Sequence, residues 1–191
     1  MALPDSSSKK PTSDEALNRL VSFVLGAARD LTPKVAADLE QRAGRTLTNG
    51  DEHALFLTLA FFSYHLVTLR AASVLTSQRQ QFRHRFRDEF LSRYVTFALD
   101  ENTPPADVDQ ARVDVGGQLD AFLAAFSSFS VPPGSKAMQP GSMPWELGRR
   151  IADELNLGSD GKMAEPGFIA AMASMNQTDR IDGLLAADAV D

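Results

Sequence analysis

Two neighbouring residues, Tyr64 and His65, with Arg70 five positions on, are the side chains whose types and spacing come nearest to chemistry in this sequence. They stand in an otherwise apolar run, where an imidazole, a phenol and a guanidinium could line a small-ligand or proton-transfer pocket. The plainer alternative is a hydrogen-bonded core histidine beside an arginine that must find a carboxylate, because an unpaired buried charge is very costly. The other histidines, His53 and His84, do not stand four residues from each other or from His65, so no helix face offers a pair of imidazoles to one metal. The absence of cysteine removes disulfides, thiolate catalysis and Cys-ligated zinc. No nucleophile elbow, phosphate-binding glycine loop or HExxH stretch is present. The sequence therefore names no catalytic residue, no metal ligand and no cofactor, and an enzyme is not indicated.

One short motif invites a metal reading. Asn156 to Gly167, NLGSDGKMAEPG, resembles a degraded EF-hand loop, with Asp160-Gly161 at its fifth and sixth positions and Met163 at its eighth. The apolar flanks, Ile151 and Leu155 before and Phe168 and Met172 after, also fit. The ligands do not: the third position is Gly158, the twelfth is Gly167 where calcium needs a bidentate glutamate, and Glu165 comes two residues early. A helix–turn–helix without calcium is the expectation.

The third chemical feature is basic and aromatic. From Arg70 to Arg93 the chain carries six arginines against Asp88 and Glu89, a net of +4, while the whole chain is −6. Phe82, Phe86, Phe90 and Tyr94 fall at i, i+4, i+8 and i+12, one slowly drifting helical stripe, with Arg79 in line one turn earlier and Arg83 and Arg87 flanking it. Such a face suits a protein partner or self-association through Arg79, Phe82, Arg83, Phe86 and Arg87, with arginine stems lying along the rings. It also resembles a surface for nucleic acid, against which the net negative charge counts. A purely internal alternative sends the phenylalanines into the core and pairs the arginines with this chain's own acids.

The element that must position these groups runs from Asp51 to Ala98 without proline or glycine. Its first half, Ala54 to Leu75, is apolar all round a helical wheel, which places it at the centre of a protein or in a membrane. The uninterrupted apolar run stops at Leu69 and includes Ser63, Tyr64 and His65, so a buried core helix is expected rather than a span. As one rod the stretch would reach about 72 Å, well beyond the diameter of roughly 40 Å expected of a compact domain of this length. A break or kink is expected at Thr76-Ser77, where the apolar content stops.

Around it the sequence predicts an all-α, irregular or orthogonal bundle of about six to eight helices. Residues 1–12 read as a polar leader and lack the apolar run of a signal peptide, consistent with a cytoplasmic protein. Ser13 caps a helix to about Asp30, and Thr32-Pro33 restarts the chain in a second helix that Gly44 ends. Asn49 and Glu52 have capping-box spacing ahead of the central element. Thr103-Pro104 opens a further helix to about Phe129, whose Gly116-Gly117 pair predicts a kink or a close crossing. Residues 13–130 are thus expected to form the main domain and 131–144, with four prolines and two glycines, a linker. Residues 145–191 form a helical subdomain that begins after Ser142 and Pro144 and carries the calcium-loop-like turn.

Overall fold

The computed structural model describes residues 14–75, 78–129, 139–158 and 161–186. Among these residues there are seven helices and no strand, so the fold is all-α. The helices are α1 (Asp14–Ala43), α2 (Asn49–Val74), α3 (Arg79–Ala98), α4 (Pro105–Phe126), α5 (Met143–Glu154), α6 (Gly161–Met175) and α7 (Thr178–Ala186). Helix α2 is the centre. Every residue from Leu55 to Thr68 is buried, and each of the other six helices packs against or around it.

Helix α1 corrects one expectation. Instead of restarting at Thr32-Pro33 it runs unbroken through Pro33. A mid-helix proline loses one backbone hydrogen bond and crowds the preceding turn. Here the residues on both sides of it belong to one buried stripe: Leu20, Val24 and Ala28 before it, Val35 and Leu39 after it. Packing against α2 therefore holds both halves in one line, and Thr32, rather than capping, donates its hydroxyl to the Ala28 carbonyl at 2.8 Å. Gly44 ends the helix as expected, at φ 65° and with its N–H donated to the Glu40 carbonyl at 2.9 Å.

The capping box of α2 lies one residue earlier than Asn49 and Glu52. Thr48 Oγ1 accepts from the Asp51 N–H at 3.1 Å, and Asp51 Oδ2 accepts from the Thr48 N–H at 2.9 Å. Thr48 supplies the hydroxyl that the motif prefers, and these bonds hold the Asp51 carboxyl below its usual range. At its far end α2 stops at Val74 and α3 starts at Arg79, so the long stretch is two helices rather than a rod. Thr76 and Ser77 themselves lie outside the described residues, as do Ser13, the leader and most of the proline-rich segment.

Helix α4 begins at Pro105, with Pro104 at the capping position and no side-chain cap, one residue later than Thr103-Pro104 suggested, and it ends at Phe126. Of its two central glycines only Gly116 marks a close crossing. A Cβ there would stand 3.0 Å from Arg87 Nη2 and 3.4 Å from Leu91 Cδ1, whereas Gly117 faces open space. The tightest helix pair is α5 with α6. A Cβ on Gly148 would meet the Ala164 carbonyl oxygen at 2.0 Å, and one on Gly167 would meet the Gly148 Cα at 2.7 Å. Ser142 caps α5, accepting from the Trp145 N–H at 3.3 Å. Leu147, Ile151, Ala171, Ile181 and Leu185 from α5, α6 and α7 join the same hydrophobic cluster as the buried side chains of α1 to α4.

Candidate functional site

The aromatic stripe of α3 is core. Phe82, Phe86, Phe90 and Tyr94 are all buried, so Phe82 and Phe86 do not belong to an exposed docking face. Their rings meet those of α2: Phe86 stacks on Tyr64 with centroids 4.7 Å apart, and Phe90 packs against Tyr64 at 5.1 Å and Phe61 at 6.3 Å. Phe122 and Phe126 of α4 continue the cluster, Phe122 against Phe61 at 5.8 Å and Phe126 against Phe62 at 6.1 Å. Aromatic pairs add about 0.5–1.5 kcal/mol each beyond their area. They also fix the rotation of α3 and so decide where its arginines emerge.

Among the described residues those arginines are struts, with the exception of Arg83. Arg87 Nη2 donates to Asp120 Oδ2 at 2.7 Å and to the Gly116 carbonyl at 3.3 Å, tying α3 to α4. Arg93 bonds Glu89 at 2.8 Å and reaches Asn18 and Ser22 of α1. Arg85 pairs with Asp14, and Arg79 donates to the Ala72 carbonyl across the α2–α3 break. Arg83 is exposed and, among the described residues, makes no hydrogen bond, ion pair or ring contact. Every other arginine of the chain has at least one such partner, down to Arg180, whose guanidinium lies over the Phe23 ring at 5.3 Å.

Tyr64, His65 and Arg70 are engaged in packing and pairing within the bundle. Tyr64 and His65 are buried in packed surroundings, and neither they nor Arg70 line any of the three principal surface grooves. His65 stands edge-on to Phe126 at 6.3 Å, and its Nε2 has no hydrogen-bond partner among the described residues. Burial, with a smaller contribution from the Arg83 charge, pushes the His65 imidazole down to about 4. It is neutral at physiological pH. Burial likewise pushes up the Tyr64 phenol, opposed by the charges of Arg87 and Arg83. Arg70 has the carboxylate it needs: it clasps Asp182 of α7 two-handed, Nε to Oδ1 at 2.8 Å, and the contact lowers the Asp182 carboxyl. His53 Nε2 meets the Tyr94 hydroxyl at 2.9 Å.

The calcium-loop-like stretch has the backbone of a helix start. Residues 161–167, which would be the second half of the loop, are already the first turns of α6, while 159 and 160 lie outside the described residues. Glu165 accepts from Arg42 Nη1 at 2.7 Å, and Arg42 also holds Asp38 at 2.8 Å, so this acid fastens α6 to α1. Among the described residues no three histidine, aspartate or glutamate side chains gather at one point.

Two surface features had no signal in the sequence. Phe97, on the line of the α3 stripe, is 65 % exposed at the helix end, where its ring leans on Phe56 at 5.7 Å. Helix α1 lines all three grooves, two of which run together along its outer side past Ser22, Phe23 and Arg180. Among the described residues one helix, α2, is long and apolar enough to cross a membrane, and in this fold most of it is buried inside the bundle. No protein-family model, no curated protein and no solved structure matches the chain.

Proposed function

We propose that this is a non-catalytic, helical interaction or assembly protein, and that its partner contact lies along the arginine edge of α3, centred on Arg83. The observation behind the reading is Arg83, exposed and without a partner among the described residues, where each of the other arginines has one. A long cation held in solvent beside a rigid aromatic anchor contributes little to folding. At an interface the same group can be decisive, because arginine is enriched among residues whose truncation costs about 2 kcal/mol or more. Phe82 and Phe86 serve this surface from behind, by fixing the helix on which it stands. Arg87 supports it, since its guanidinium is committed to Asp120 and Gly116. The partner this edge fits is an acidic protein surface.

The alternative of a small-ligand site at Tyr64, His65 and Arg70 has less support, because none of the three principal grooves is lined by those residues and Arg70 is bound to Asp182. The test is affinity capture from native extract with the wild-type protein and with Arg83→Glu, each with and without nuclease. Capture of a protein by the wild type that Arg83→Glu loses, unchanged by nuclease, supports the reading. Capture lost on nuclease treatment favours nucleic acid instead, and capture equal in both variants refutes a role for this edge.

A further inference from the structure

We infer that the outer face of α1 is a self-association surface that takes a second copy of this chain, helix against helix and antiparallel, about a twofold axis between Val24 and Leu25. This goes beyond the arginine edge of α3 and is independent of it. The face is real surface: two grooves of about 510 and 490 Å³ run end to end along α1, with Phe23 at their shared floor and Arg180 of α7 at one wall. Gly26 leaves the middle of this face low, with nothing within 4 Å of where a Cβ would stand.

The charge pattern selects the occupant. Glu15 and Arg19 line one end of the paired grooves, Asp30 and Lys34 the other. An antiparallel copy about that axis sets Glu15 against Lys34 of the second copy and Arg19 against Asp30 of the second copy. The twofold repeats both pairs, so four opposite-charge contacts arise from one register. The same register sets Ser22 against Ala27 of the second copy, with Gly26 low beside them, small residues that let two helices approach closely. A parallel arrangement would instead set each of these charges against its own like. A surface self-complementary about a twofold is what a closed homodimer requires. The existing Glu15–Arg19 and Arg29–Asp30 pairs are exposed and lie within α1, so they compete only weakly with the contacts across the axis.

The test is sedimentation equilibrium of the full chain over a series from micromolar to sub-millimolar concentration, with circular dichroism as the check on folding. The wild type is expected to dimerise within that range. Gly26→Arg, whose side chain enters open space in the monomer, is expected to stay folded and remain monomeric; Gly26→Gln serves the same purpose should the arginine variant fold poorly. Lys34→Glu should weaken the dimer at least about tenfold. Glu15→Lys with Lys34→Glu should restore it, because a reversed pair about a twofold is still a pair. A wild type that is monomeric throughout, a Gly26→Arg variant that dimerises like the wild type, or a double reversal that fails to recover association would overturn the inference. Arg83→Glu should dimerise normally, which separates failure here from failure of the α3 reading.

Discussion

Replacing His65 by methionine should flatten the acid side of the stability profile. In the folded chain this imidazole titrates at about 4, against 6.5 for an unperturbed histidine, because burial disfavours the charged ring and Arg83 adds repulsion. Below pH 6.5 the unfolded chain takes up a proton that the folded chain refuses until about pH 4. The unfolded state is then favoured, so stability falls as pH drops through that window and is level above it. The difference corresponds to about 3 kcal/mol, a substantial part of the total stability of a domain this size. Asp51 and Asp182, whose folded carboxyls titrate below the usual 3.8, lose their contributions mainly below the window. Urea unfolding at pH 7 and pH 4.5 reads the effect directly: the wild type should lose about 2–3 kcal/mol more than His65→Met, which is apolar and of similar volume. Parallel losses in the two proteins would show that His65 is solvated or hydrogen-bonded, and would reopen it as a ligand-facing group.

Further predictions follow from the packing. Gly148→Ala should cost about 2–4 kcal/mol, because its Cβ collides with the backbone oxygen of Ala164, while Gly117→Ala on the open side of α4 should be neutral or stabilising by up to about 1 kcal/mol; thermal melts of the two variants test this. Phe86→Ala should cost about 3–5 kcal/mol, since the ring is fully buried and stacked on Tyr64, and a loss below about 1 kcal/mol in denaturant titration would mean that α3 is not anchored as described. Millimolar calcium should leave the melting temperature of the wild type where a chelator leaves it, because residues 161–167 are helix and Glu165 is engaged by Arg42; a rise of several degrees would contradict this.

The sequence carried the fold where a single physical signal dominated. A run apolar on every side can only be central, and α2 is. The i, i+4 spacing of Phe82, Phe86, Phe90 and Tyr94 correctly marked one helix face, but spacing cannot say whether a face meets solvent or α2, and the rings of Tyr64 and Phe61 decide that. Thr32-Pro33 misled because local rules see a cap and a breaker, whereas the buried stripe from Leu20 to Leu39 shows that tertiary packing outweighs one lost hydrogen bond. The Thr48 cap was missed by one position because Asn49 and Thr48 are both good cap residues and differ only in which offers a hydroxyl three residues before an acid. Arg70 needed a carboxylate, but nothing in the chain said that it would be Asp182, over a hundred positions away. The separation of Arg83 from its engaged neighbours is likewise a tertiary fact, set by where Asp14, Glu89 and Asp120 fall.

Arg83→Glu separates the proposed binding role of the arginine edge of α3 from the folding role of its buried phenylalanines. With a partner captured by the wild type, its dissociation constant is measured at low and high salt for both proteins, alongside their melting temperatures. Wild-type binding is expected to weaken as salt is raised, binding by Arg83→Glu to be reduced at least about thirtyfold, and the melting temperatures to agree within a few degrees. An Arg83→Glu protein that melts far lower yet binds as the wild type does while folded would contradict this role, and would make Arg83 one more internal strut.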